Sequence, residues 1–417
     1  MVSPSQEQLK KYASLAIRIG VNIQKGQPLL INAPIEGAEF VHYVVEEAYN
    51  AGAENVQVEW NDEVLTRMKF MKEPLHVLES FPEWKVQRLT EHVNKGGAVI
   101  TIYSPNPELL QGVDPAKFSA ANKASGEALK DYRNAMMTDT VQWSIIGIPT
   151  TNWAKKVYPN VDVEEAKQQM WEQIFHITRV DQEDPIQAWL QHNDTLRQAR
   201  EYLNEKQYAK LIYKAPGTDL TVELPENHRW AGGSTVAKNG ATFNPNLPTE
   251  EVFTMPHKDG VNGTVKSTKP LNFNGNLIDN FTLTFKDGKV VDFEAETGYE
   301  TLKYLLEADE SSNQLGELAL VPHSSPISQS NLIFYNTLYD ENASSHLALG
   351  AAYPINMKDG SSLTEDELKE RGANVSITHE DFMIGSAELD IDAVTKEGNI
   401  EPIFRNGNWA LDFSSVE

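Results

Sequence analysis

Five side chains able to ligate a metal ion are spread through the second half of this chain: Glu251, Glu317, His346, His379 and Asp381. His379, Glu380 and Asp381 are consecutive and lie between Val375-Ser376-Ile377 and Phe382-Met383-Ile384. In a strand, residues i and i+2 project from one face, so His379 and Asp381 would point together and Glu380 away. Such a pair can ligate one ion or two adjacent ions, and it also fits a surface strand with a His–Asp hydrogen bond. His346 opens a run of small and apolar residues that reaches Tyr353-Pro354. As a helix, this run would carry His346 and Tyr353 on one face, about two turns apart. As a loop broken by Gly350 and Pro354, it could return Tyr353 to the same site. Glu317 begins an apolar, strand-like run as edge decoration or as an inward ligand. Thr249 can cap a short turn beside Glu250 and Glu251, of which at most one should face a given site. Two imidazoles and three carboxylates are what a pair of divalent ions needs, and the chain has no cysteine to offer instead.

The elements that must position these groups divide the chain. Residues 27–32, 56–60, 98–103 and 143–148 read as strands, with a helix over 37–51 whose apolar positions recur at helical spacing and which Gly52 stops. Strands separated by helices imply a mainly parallel sheet covered on both faces. A helix over 186–203, with Trp189, Leu196, Ala199 and Leu203 as its buried stripe, leads into a strand-rich half. Strands are expected there at 211–213, 220–224, 281–285, 290–294, 400–404 and 409–413, with one helix near 299–307. Asp287-Gly288 between apolar alternations signals a hairpin, and Asn406-Gly407 another turn. The expected architecture is an α/β N-terminal domain (1–190) with a mainly parallel sheet, followed by an α+β, strand-rich, metal-binding catalytic domain (191–417).

Composition narrows the function. A formal charge of −24 argues against nucleic acid and against an anionic membrane surface, and suits a cationic ligand such as the free amino end of a peptide. No run of about 18 apolar residues is present to span a membrane. The polar start of the chain lacks the apolar core of a signal peptide, so a cytoplasmic protein is expected. Without cysteine there is no disulfide, thiolate site or cysteine nucleophile. The glycine-rich stretches around Gly232-Gly233 and Gly260 lack phosphate-loop spacing. His257-Lys258-Asp259 repeats the His-x-Asp spacing in what looks like a solvated loop. The serines after His323 lack a Gly-x-Ser-x-Gly elbow.

Four stretches together carry a more specific signal: NLPTEEVFT (246–254), GELALV (316–321), SSHLALGAAYP (344–354) and HEDFMIGS (379–386). In this order they resemble the thermophilic-type metallo-aminopeptidases, the family of aminopeptidases T and S and of PepS. The likeness begins near Tyr12-Ala13 and runs nearly the whole length. It implies an aminopeptidase with two divalent ions (Zn, Co, Mn or Mg) per subunit and peptide substrates. Position by position, it places the metal ligands on Glu251, Glu317, His346, His379 and Asp381, and the active-site tyrosine on Tyr353. It also implies a homodimer whose site lies in a large cavity that limits substrate size.

Amide hydrolysis needs an activated water and a stabilised oxyanion, and two ions about 3.5–4 Å apart can supply both. The Tyr353 phenol could donate a hydrogen bond to the oxyanion. Candidates for the general base are a non-bridging carboxylate or Glu250, with Glu380 turned away. Two competing expectations are a two-metal hydrolase of another amide or an ester, and a metal-stabilised peptide-binding protein without activity.

Overall fold

The computed structural model describes residues 4–273, 276–411 and 413. The chain forms two compact units. One comprises Met1–Gln191, Ser234–Pro248 and Ile333–Leu338, the other His192–Gly233, Thr249–Leu332 and Tyr339–Glu417.

In the first unit, β1 (Pro28–Pro34), β2 (Asn55–Asn61), β3 (Ala98–Ile102), β4 (Trp143–Ile146) and β5 (Asn246–Leu247) form one sheet in the order β2-β1-β3-β4-β5. Every neighbouring pair is parallel. Parallel neighbours need long crossovers, and helices supply them. The helix Ala38–Ala51 joins β1 to β2 and stops at Gly52, whose φ of 103° is the left-handed cap that glycine adopts most easily. Leu29, Leu30 and Ile31 are all buried, as both-face coverage requires. Tyr12, Phe40, Trp171 and Phe175 form an aromatic cluster beside the sheet, with Tyr12 and Phe40 stacked at 5.1 Å.

The second unit is built on antiparallel pairing. Its larger sheet has nine strands, among them Lys210–Ala215, Thr218–Glu223, Val261–Lys266, Asn276–Lys286, Asp390–Val394 and Ile400–Arg405. Asn276–Lys286 and Lys289–Thr297 form the hairpin expected at Asp287-Gly288, where both turn residues have positive φ (49° and 82°). Of the strand expected at 409–413, Asn408–Trp409 forms, while Asp412 lies outside the described residues. The smaller sheet has four strands in the order β6 (Val252–Thr254), β7 (Leu315–Leu320), β8 (His346–Gly350) and β9 (His379–Met383). The segment after His346 is therefore a strand followed by a loop, not a helix. Leu347 and Leu349 explain this, because they fall two apart and both enter the core.

One face of the smaller sheet is largely apolar. Val252, Leu318, Leu320, Leu347, Leu349 and Phe382 join Leu211, Tyr213, Phe281, Ile391 and Phe404 of the larger sheet in a single buried cluster. Phe281 and Phe382 meet with ring centroids 5.5 Å apart. Burying each large side chain contributes roughly 1.5–3 kcal/mol, so this face fixes where the strands lie.

A buried histidine adds a pH dependence to this unit. His228 is 2% exposed, its Nδ1–H donates to the Pro225 carbonyl at 2.9 Å, and its Nε2 has no partner. Burial outweighs that hydrogen bond and pushes the imidazole down to about 4. The unfolded chain, with a histidine pKa near ~6.5, then binds the extra proton first as pH falls. Stability is fully present above about pH 6.5 and is lost towards pH 4, by up to about 3 kcal/mol. Urea unfolding at pH 7 and pH 4.5 tests this: His228→Gln should lose less stability on acidification than the wild type. Parallel losses would exclude the role.

Candidate metal centre

The other face of the smaller sheet is where the donors gather. Register sets three rows across its strands. Phe253, Ala319, His346 and Met383 form one row, Glu317, Ala348 and Asp381 the next, and Gly350 and His379 the third. A bulge between Leu315 and Glu317 keeps Glu317 in step with Ala348. Glu251 immediately precedes β6 and shares the Phe253 face. The residues between the donors are Ala319, Ala348 and Gly350, which leave room that larger side chains would fill. Glu380 pairs with Leu349 on the opposite face, as strand alternation dictates.

The loops at the strand ends hold the remaining geometry. Gly350 has φ 104°, and a Cβ there would lie 2.2 Å from the Thr378 carbonyl oxygen, so only glycine fits. Asn374 Nδ2 donates to the Gly350 carbonyl at 2.6 Å and to the Ser311 carbonyl at 2.8 Å. Asp309 accepts from Ser376 Oγ and from the Ile377 amide, both at 2.7 Å. These contacts fix the segment that leads into His379. After β8, Ala351 and Ala352 donate their amides to the Thr378 and Asn374 carbonyls. The chain then delivers the Tyr353 ring to 4.7 Å from His379 and 6.3 Å from Phe253.

His346 Nε2 lies 3.4 Å from Glu251 Oε2 and 3.5 Å from Glu317 Oε1. His379 Nε2 lies 3.8 Å from Glu317 Oε2 and 3.5 Å from Asp381 Oδ1. Two three-residue groups result, Glu251–Glu317–His346 and Glu317–His379–Asp381, each with its donor atoms within 4.8 Å of one another and with Glu317 in common. The first is buried, while His379 and Asp381 are half-buried.

The donor chemistry fits a cation. Nδ1 of His346 donates to the Ser344 carbonyl (3.1 Å) and Nδ1 of His379 to the Ala351 carbonyl (2.7 Å). With Nδ1 held by a carbonyl, each imidazole points Nε2 towards the carboxylates, where a proton or a metal ion can sit, the arrangement seen where histidine binds a metal. Glu251 Oε2, Glu317 Oε2 and Asp381 Oδ1 are buried without a hydrogen-bond donor. Buried carboxylate oxygens gathered about two Nε2 atoms need a positive charge among them, which protonated imidazoles supply without an ion and a bound cation would supply in their place. The separations are near the roughly 3.4 Å edge of a tetrahedron with ~2.1 Å metal–ligand bonds.

The protonation tendencies describe the same field. Burial pulls the His346 imidazole down, but the Glu317 hydrogen bond and the Asp381 and Glu251 charges lift it to about 10. His379 is likewise lifted to about 9, chiefly by Asp381, against burial. Glu251 is pushed up to about 8 by burial and by the neighbouring Glu317 and Asp381 charges. Burial would raise Asp381, but the nearby imidazoles of His379 and His346 outweigh it and hold the carboxyl below the usual range. Partial burial and then the charges of Glu317, Asp381, Glu341 and Glu251 raise the Tyr353 phenol, so it stays a hydrogen-bond donor at neutral pH.

Glu341 is the acid that sequence reasoning passed over. It lies in the short 3-10 turn Glu341–Ala343, and its carboxyl is pushed well above the usual range by burial and by the Glu251 and Asp381 charges. Such a turn has no periodicity, and the one available signal was an acid five residues before His346 in a run of small residues. Glu250 faces His192 (3.6 Å), and its amide donates to Asn342 Oδ1. The remaining candidates stand apart: His323 Nδ1 pairs with Ser328 Oγ, and His257 Nδ1 accepts the Asp259 amide.

Residues 5–409 match the family described as thermophilic metalloprotease (M29). The chain is 56% identical to aminopeptidase 2 of Geobacillus stearothermophilus, over 98% of this chain and 99% of that one. It is 41% identical to aminopeptidase T of Thermus aquaticus, over 97% and 99% of the two chains. The structure of wild-type AmpT from Thermus thermophilus superposes with a TM-score of 0.91 at 39% identity, covering 97% of this chain and 100% of that one.

Proposed function

The chain belongs to the thermophilic metalloprotease (M29) family and is a metallo-aminopeptidase, and we propose that it frees N-terminal amino acids from peptides with two divalent ions held by Glu251, Glu317, His346, His379 and Asp381. The observation that carries the two-ion reading is the Glu317 carboxylate, whose two oxygens face different imidazoles and so belong to both donor groups. Zn, Co, Mn and Mg all suit oxygen and nitrogen donors without sulfur. Catalysis is assigned to the domain spanning 191–417. A homodimer completes the proposal, on the strength of the family resemblance, with the cytoplasm as the location that composition favours.

When bound, the ions polarise the scissile carbonyl and acidify water. The chain's own groups do the rest. The carboxylates of Glu251, Glu317 and Asp381 would offset most of the charge of the two ions in a site that water reaches poorly. The Tyr353 hydroxyl donates to the oxyanion that develops as water adds to the carbonyl carbon. Glu341, whose carboxyl feels the charges of Glu251, Asp381 and Glu317, is assigned to take a proton from water as the ionised carboxylate and to pass it to the leaving nitrogen as the C–N bond breaks.

The deciding experiment follows amino-acid release from short peptides by chelator-treated protein, then with Zn, Co, Mn or Mg restored. The treated protein should be inactive and at least one ion should revive it. N-acetylated versions of the same peptides should stay intact. Full activity after chelation, or cleavage of the blocked peptides, would defeat the proposal.

A further inference from the structure

Phe253 is a large, half-buried apolar side chain on the donor face that the chemistry does not use. It shares its row with Ala319 and His346, so one small residue separates its ring from a metal-ligating imidazole. Its neighbours in β6, Val252 and Thr254, are fully buried, whereas Phe253 is half-buried. The strand is held firmly at this point. The Phe253 amide and carbonyl both pair with Ala231 at 2.9 Å, and Asn356 Nδ2 donates to the same carbonyl at 3.3 Å. The ring meets Tyr353 edge-on at 6.3 Å, and Tyr353 in turn lies 4.7 Å from His379. At the far end of the row Met383 is buried, and Ala319 and Ala348 are too small to shape a pocket.

We propose that Phe253, with the ring of Tyr353, forms the surface that receives the side chain of the residue being released, and that the enzyme therefore favours peptides beginning with an aromatic or long aliphatic residue. This rests on the aminopeptidase assignment. A first residue whose amine and carbonyl lie at the carboxylate–imidazole cluster has its side chain within reach of this ring. An aromatic edge and face held in fixed orientation suit apolar and ring-bearing groups and offer nothing to a charged one.

The test measures kcat/KM for the p-nitroanilides of Phe, Leu and Ala with wild type, Phe253→Ala and Phe253→Leu, all metal-loaded, together with their metal content. The Phe-to-Ala and Leu-to-Ala ratios should fall on the order of tenfold or more in Phe253→Ala and less in Phe253→Leu, with metal content as in wild type. An equal loss on all three substrates, no loss, or a fall in metal content would overturn the proposal. A wild type inactive on every unblocked substrate would instead remove the aminopeptidase assignment beneath it.

Discussion

Replacing Glu317 by Gln is expected to cut kcat/KM by roughly a thousandfold or more and to lower metal content in parallel. Gln keeps the size of the side chain and one carbonyl oxygen but removes the charge that both donor groups share. Metal ions contribute several kcal/mol of transition-state charge stabilisation. At 1.36 kcal/mol per factor of ten, a loss of about 4 kcal/mol is roughly a thousandfold. The buried position sharpens the effect, because water cannot substitute for the lost charge at a residue only 4% exposed. Elemental analysis of the purified variant beside its kinetics checks the point. Wild-type metal content with wild-type turnover would mean that Glu317 is not a shared ligand.

Tyr353→Phe should behave differently. The ring and its packing on His379 remain and only the hydroxyl is lost. Removal of one oxyanion donor costs about 10²–10³ in kcat, or roughly 2.7–4 kcal/mol. KM and metal content should stay near wild type, since in the proposed role the hydroxyl acts on charge that appears only in the transition state. A rise in KM at constant kcat would show that Tyr353 binds substrate without stabilising the oxyanion. Loss of metal would show that it supports the centre.

How much of this was legible beforehand depended on local periodicity. The parallel sheet and its Gly52 helix stop were readable because apolar positions and a left-handed glycine coincide there. The strand with His379 and Asp381 was readable from its apolar flanks. The strand at His346 was not, because His-Leu-Ala-Leu-Gly suits helix and strand about equally until Leu347 and Leu349 are seen to share a core. The helices Glu63–Lys72 and Pro115–Ala128 bury no residue, so they leave no stripe to detect. The strand Asn246–Leu247 is only two residues long and gains its pairing from distant sequence. Glu341 was hidden because its importance comes from neighbours that only the folded chain supplies.

The strands that present the proposed ligands are also the strands that pack the hydrophobic interior, with alternate residues assigned to each task. His346 and Leu347 are consecutive, and so are Asp381 and Phe382. Thermal tolerance and catalysis are thereby mechanically linked: any substitution that lets Leu347 or Phe382 shift carries the adjoining ligand with it. On the proposed metal centre, warming such a variant is expected to end activity before the polypeptide melts, so the margin between inactivation and denaturation temperatures becomes a gauge of how tightly the interior is filled.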